Sequence, residues 1–147
     1  MKKRRNTHPL GAALAVAAVG ALGSTGCATT TRLYVKSTQT TNDGNTFYMM
    51  VRSVDGKTTT VNEQYQDVAA KLFADPPDPT VVVGQPIFPG TPVSVTLNEG
   101  DTKQVVLYFF YTKPLTNWRV PLPRPLPAEV YVDLGANQIE HVQIRKR

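Results

Sequence analysis

The chain has 147 residues, a formal charge of +5, twelve prolines and one cysteine. A single cysteine excludes an internal disulfide and any metal site built from several thiolates. Setting aside Lys2, Lys3, Arg4 and Arg5 leaves 12 basic residues against 11 acidic ones, a net of +1, and three of those twelve are the terminal Arg145, Lys146 and Arg147. The remaining body therefore lacks the basic face that nucleic-acid binding by counterion release requires.

The basic start is followed by an uncharged run of small and apolar residues from Leu10 to Leu22, and then by Gly23-Ser24-Thr25-Gly26-Cys27. A charged start, a short apolar stretch and small residues before a cleavage point form the secretory pattern. The apolar run is 13 residues long, too short for the roughly 20 that a membrane-spanning helix needs. Residues 1–26 thus read as a signal peptide. Thr25-Gly26-Cys27 is similar to the end of a bacterial lipobox, with Ser24 where an aliphatic residue is usual. Cys27 is accordingly the expected lipidation site, carrying acyl chains such as palmitate. Arg4-Arg5 is followed by Asn6-Thr7-His8, which does not fit twin-arginine export. Ala28 after the cysteine provides no aspartate to retain the protein at the inner membrane, so the expected place is the periplasmic face of the outer membrane. The alternative is an ordinary signal peptide that leaves Cys27 as a free thiol.

Residues 27–31 read as an acylated tether and 32–147 as one domain of a size suited to a single modest core. Arg32–Lys36 alternates apolar and polar and predicts a first strand. The polar run Ser37–Thr46 contains Asn42-Asp43-Gly44-Asn45, residues that tolerate positive φ and bond to nearby backbone, and predicts a loop. Phe47–Val54 is a second, nearly continuous apolar strand. Helical spacing of Tyr65, Val68, Ala69, Leu72 and Phe73 predicts one helix from Asn62, a capping residue, to Ala74, ended by Pro76, Pro77 and Pro79.

Further strands are predicted at Thr80–Val83, Val93–Leu97, Val105–Tyr111, Trp118–Val120, Val130–Leu134 and Ile139–Ile144. The turn signals Asn98–Asp101 and Gly135–Asn137 separate two pairs of them. Val105–Tyr111 is apolar on both faces and belongs at the centre of a sheet. The whole predicts a mainly β fold, a two-sheet sandwich with one short added helix; a closed barrel is the alternative.

Catalytic material is sparse. Past the signal segment the only histidine is His141, in a predicted strand, and no nucleophile motif or His/Cys cluster of metal spacing accompanies it. Asp75 and Asp78 lie in a proline-stiffened helix exit. Asn42, Asp43 and Asn45 resemble part of a calcium loop, but the Glu of an EF-hand is missing. The expectation is a protein that is not an enzyme and has no cofactor or metal. Pro121–Pro127 alternates proline with other residues. It is either a polyproline ligand for an aromatic groove or a stiff crossover between strands, and the crossover is the simpler reading. Trp118 just before it is expected to be a core anchor between the sheets.

The order of these pieces resembles a known family. A lipobox precedes a short strand, the Asn42–Asn45 loop, the strand ending Val51-Arg52-Ser53-Val54, and a helix around Gln64–Phe73. Then come Leu107-Tyr108-Phe109, Asn117-Trp118-Arg119-Val120-Pro121-Leu122 and Val130–Leu134 with Asn137-Gln138-Ile139. This order is similar to that of the type VI secretion outer-membrane lipoproteins of the TssJ (SciN/VasD) family, over nearly the whole mature chain. The resemblance implies a transthyretin-like β-sandwich that is acylated and holds the periplasmic domain of the inner-membrane protein TssM. It also implies that Asn42, Asp43, Gly44 and Asn45 contact TssM. A polar loop carried by two apolar strands near the tethered end of the chain suits that role. The alternative function is an unrelated outer-membrane sandwich that binds an envelope protein or a glycan.

Overall fold

A computed structural model describes residues 29–55, 60, 62–99 and 103–146; the signal segment and Cys27 lie outside them. In chain order the elements are β1 (Thr29–Ser37), β2 (Phe47–Asp55), α1 (Tyr65–Leu72), β3 (Val81–Ile87), β4 (Val93–Glu99), β5 (Lys103–Phe110), β6 (Arg119–Pro121), β7 (Glu129–Leu134) and β8 (Ile139–Arg145). They make two four-stranded sheets, ordered β4-β1-β7-β8 and β3-β2-β5-β6. Strand β1 runs parallel to β7 and antiparallel to β4. The expected two-sheet sandwich with one helix is the fold observed.

The core between the sheets is built by alternation. Strand β2 contributes Phe47, Met49 and Val51, β5 contributes Val105, Leu107 and Phe109, and the facing sheet answers with Leu33, Val35, Val130 and Val132. Continuous apolarity in β5 is explained by its other face. Val106 and Tyr108 point away from the sandwich and are buried with Met50 and with Val68 of α1. Both faces of this central strand are dry, as its sequence predicts. Gly84 on β3 lets the helix settle, because a Cβ there would come within 2.5 Å of the Leu72 side chain.

Several boundaries differ from expectation. Thr29–Thr31, expected in the tether, are the start of β1, because β4 supplies backbone partners for them and Pro127 accepts a 2.7 Å bond from the buried Thr31 hydroxyl. Strand β3 runs to Ile87, well past Val83, by pairing along β2. The helix begins at Tyr65 behind Gln64 and not at Asn62. The residues ahead of it are held on the sheet: the buried Arg52 guanidinium donates to Glu63 Oε1 at 2.6 Å, and the Tyr108 hydroxyl donates to Glu63 Oε2 at 2.8 Å. Arg119 bonds the Thr60 carbonyl on the same face. The Glu63 side chain and the Thr60 carbonyl are taken up by the sheet, and the extended backbone of Gln64 (φ −80°, ψ 145°) marks the break before the helix.

Trp118 is not between the sheets. It is half-buried on the outer face beside α1, its ring 4.9 Å from Tyr65 and 5.8 Å from Tyr108, with the Arg119 guanidinium 5.1 Å above it. The expectation of a sandwich-core anchor is corrected by the direction of the strand: Phe109 occupies the inward place next to it, and its N–H bonds the Trp118 carbonyl.

Burial also sets the phenols. It pushes the Tyr65 hydroxyl up to about 12 and carries Tyr111 and Tyr108 higher still, with the Glu63 carboxylate adding to the effect at Tyr108. A phenol that ionises later in the folded state than in the unfolded state contributes stability that is complete below about pH 10 and lost as pH rises above it. Melting temperature should therefore hold steady up to about pH 10 and fall above it, in step with the appearance of tyrosinate absorbance. In urea unfolding, Phe109→Ala should cost about 3–5 kcal/mol, and Trp118→Ala roughly half as much because water already reaches one side of its ring.

Candidate partner-docking site

The loop between β1 and β2 closes on a 3-10 turn at Thr41–Gly44 in which three consecutive residues turn left-handed: Asn42 at φ 53°, Asp43 at φ 55° and Gly44 at φ 75°. Asn, Asp and Gly are the residues that accept this region at least cost. Upstream, the buried Thr41 hydroxyl accepts from the Thr38 N–H at 3.0 Å and donates to the Leu134 carbonyl at 3.2 Å.

Asn42 is the hub. It is 1% exposed. Its N–H donates to the Ala136 carbonyl at 2.7 Å, its Oδ1 accepts from the Thr112 N–H at 2.7 Å, and its Nδ2 donates to the Asn45 carbonyl at 3.0 Å. One side chain thus ties the β1–β2 loop to the β5–β6 connection, and its backbone ties the same loop to the β7–β8 turn. A fourth loop joins through the Gly90 N–H, which donates to Ser37 Oγ at 3.1 Å. Gly90 itself sits at φ 84° against Gln39.

Of the four residues expected to meet a partner, the structure keeps three at the surface. Asp43, Gly44 and Asn45 are exposed, whereas the Asn42 side chain is spent inside the fold. Lys113 stands 3.5 Å from Asp43, both in solvent. Two residues that sequence reasoning passed over lie in loops at this same end: Phe88, 55% exposed, and Leu115, 57% exposed. Leu115 donates its N–H to Asn137 in the β7–β8 turn. The available signal was a large apolar residue beside turn-formers, Phe88-Pro89-Gly90 and Pro114-Leu115, outside any strand.

The loop is not near the tethered end in space. Thr29 pairs with Glu99 at one end of its sheet, and Ser37 pairs with Leu134 at the other. The nine residues of β1 therefore separate the N-terminal entry from the loop by roughly 25–30 Å.

The remaining candidates have structural places. Asp78 receives the Thr80 hydroxyl and N–H and the Lys71 ammonium, which together hold its carboxyl well below the usual range and fasten the helix exit to β3. Asp75 is exposed. His141 is exposed on edge strand β8, beside an open cleft of about 180 Å³ that Arg119 and Glu140 also line. Among the described residues, no three His, Cys, Asp or Glu side chains are grouped to hold a metal. None of the helices described is long and apolar enough to cross a membrane.

Comparison with known proteins places this geometry. No curated protein matches the chain in sequence. Among solved structures, the crystal structure of the T6SS lipoprotein TssJ1 from Pseudomonas aeruginosa is similar at 16% identity and a TM-score of 0.57, over 81% of this chain and 98% of that one. Serratia marcescens Lip, a membrane-bound component of the type VI secretion system, is similar at 12% identity and a TM-score of 0.55, again over 81% and 98%. A chain in the structure of the T6SS protein TssM C-terminal domain from EAEC is similar at 15% identity and a TM-score of 0.56, over 74% and 97%. The resemblance to the TssJ lipoproteins is borne out in the fold. The profile of the IglE N-terminal domain matches residues 48–134, from the second strand through the seventh, and the chain belongs to that family.

Proposed function

We propose that this chain is a lipoprotein of a type VI secretion membrane complex. It is held on the periplasmic face of the outer membrane through Cys27, and it docks the periplasmic domain of a TssM-like protein at its loop-bearing end. The observation that carries the reading is the rigid presentation of Asp43, Gly44 and Asn45 by the buried Asn42, with Phe88 and Leu115 exposed at the same end. A stiff polar loop near exposed apolar residues has the makings of a protein interface, in which desolvated anchors contribute most of the affinity and the polar rim sets register. Its distance from the N-terminal entry turns it away from an anchoring membrane and toward a partner in the periplasm. The similarity to T6SS lipoproteins and to a chain in a TssM C-terminal domain structure supports the choice of partner.

Asn42 separates folding from docking. Asp43→Ala with Asn45→Ala, leaving Asn42 and Gly44 in place, should keep the folded circular dichroism signal, at a cost of about 1 kcal/mol for alanine at the left-handed position 43. The same variant should weaken binding of a purified TssM-like domain at least tenfold, about 1.4 kcal/mol. Phe88→Ser and Leu115→Ser should each weaken it as well. Asn42→Ala should instead lower stability by about 2–3 kcal/mol, since it removes both side-chain bonds that tie the loops together, strands two part-buried backbone groups and also leaves alanine in a left-handed turn. Full affinity in a folded Asp43→Ala/Asn45→Ala variant, measured by calorimetry, would place the docking site elsewhere or favour an unrelated envelope ligand.

For the anchor, mass spectrometry of the mature protein should find acyl chains on Cys27, and Cys27→Ser should release the protein into the soluble periplasm. Two or more chains hold firmly where one does not, at about 0.8 kcal/mol per buried methylene. An unmodified Cys27 thiol in the mature protein would refute the anchor.

A further inference from the structure

The end of the sandwich opposite the loops carries a second surface. The segment between β6 and β7 packs beside the first residues of β1: the Thr31 hydroxyl bonds the Pro127 carbonyl, and the Arg32 N–H donates to the Ala128 carbonyl at 2.9 Å. The end of β8 joins at the same level, where the Ala128 N–H donates to the Arg145 carbonyl at 3.0 Å. Leu122 and Leu126 turn inward and are buried, which leaves Pro123, Arg124 and Pro125 exposed on the outside of a bend. This proline segment and the end of β8 enclose a cavity of about 300 Å³, lined by the apolar Pro123, Pro125 and Ile144 and by the basic Arg124 and Lys146. Ile144 is 36% exposed.

Charge on this side of the end is basic. Arg124, Arg145 and Lys146 are exposed, and the acidic residue beside them, Glu129, is engaged by Arg145 at 3.4 Å and by the Tyr131 hydroxyl at 2.9 Å. Farther across the same end, Glu99 accepts from Ser53 Oγ at 2.6 Å, and Asp55 stands opposite Lys103 in the β2–β5 register. Arg124 and Lys146 thus have no carboxylate bonded to them among the described residues.

We propose that this proline-and-basic end face seats on an anionic phospholipid surface and sets the molecule upright on the membrane. The proposal rests on Cys27 being the anchor, the reading given above. Only Ala28 lies between Cys27 and Thr29, and at 3.3–3.6 Å per residue the tether from Cys27 to Thr29 spans at most about 7 Å. That is shorter than the Debye length of roughly 8–10 Å at physiological salt. An anchored molecule therefore keeps the start of β1 within a Debye length of the headgroup phosphates, with the end of β8 two strands away in the same sheet. Basic side chains close to an anionic surface are attracted to it, and apolar groups among them enter the interfacial layer. Proline suits such a face because it has no N–H left unbonded when water is squeezed out. Seated in this way, β1 stands off the membrane, and Asp43–Asn45 is held at the far end of the domain.

The single cysteine makes the test direct. The unacylated chain beginning at Cys27 is coupled through its thiol to a maleimide-bearing phospholipid, in vesicles of phosphatidylcholine alone or of phosphatidylcholine with phosphatidylglycerol. Amine acylation is then followed by mass spectrometry at Lys146, on the proposed face, and at Lys113, at the loop end. On phosphatidylglycerol vesicles Lys146 should react about fivefold more slowly relative to Lys113 than on phosphatidylcholine vesicles, and high salt should remove the difference. Arg124→Gln, an exposed change, should reduce the protection at Lys146. Equal Lys146 rates on the two vesicle types, or protection of Lys113 matching that of Lys146, would overturn the proposal. Because the coupling is chemical, its outcome does not depend on whether the cell acylates Cys27. Failure here leaves the docking reading intact, whereas an unmodified Cys27 in the cell-made protein defeats the anchor reading and not this measurement.

Discussion

Strand β5 has no face that tolerates water. Leu107 and Phe109 look into the sandwich, and Val106 and Tyr108 look out of it. A two-sheet sandwich normally needs to dry only its inner faces, so the outer pair imposes a further demand on the chain. At roughly 25 cal/mol per Å² of apolar surface, leaving Val106, Met50 and the Tyr108 ring uncovered would cost several kcal/mol, comparable to the whole stability of a small domain. The segment between β2 and β3 meets that demand. Its helix lays Val68 and Leu72 on the outer face, and Trp118 and Tyr65 close the side.

A helix of eight residues has little stability of its own, and polar pins hold it in place. Arg52 is buried under it, bonded to Glu63, Thr80 and the Tyr108 hydroxyl. Losing one partner of such a group leaves a charge in a dry place, which makes the arrangement cooperative. At the helix exit Lys71 and Thr80 converge on Asp78. The phenol of Tyr108 is therefore both a wall of the outer cluster and a member of the polar network, which is why burial and Glu63 both raise its ionisation range.

The same frame builds the two ends of the sandwich differently. At one end four loops are cross-linked through the buried Asn42 and through Ser37, so the exposed residues Asp43–Asn45 are held on a stiff base. At the other end the chain enters through β1, next to a proline-rich bend and the basic end of β8. Strand β1 joins the two ends. It lies inside its sheet between β4 and β7, so a load applied at the N-terminus is carried by backbone bonds on both edges of the strand.

Much of this was legible in the linear chain because it depends on local rules. Alternation of apolar and polar residues placed the strands, double-sided apolarity put Val105–Tyr111 at a sheet centre, and the helical stripe with its closing prolines located the helix. The order of short motifs, with Cys27 behind an export-like segment, pointed to the TssJ-like fold that the structure bears out. What the tertiary structure alone decided depends on residues far apart in sequence. Asn42 looks like any polar turn residue until Thr112 and Ala136 arrive beside it, and it then becomes internal scaffold while its neighbours stay exposed. Trp118 has the composition of a core anchor, but the pairing of β6 with β5 turns it to the outer face. The helix starts past Asn62, just behind a glutamate that answers an arginine eleven residues back, a contact no capping rule contains. The distance between the N-terminal entry and the loop follows only from β1 spanning the sheet end to end. Periodicity reports which residues avoid water; which surface they meet, and which polar groups are left over for a partner, is decided when distant strands pair.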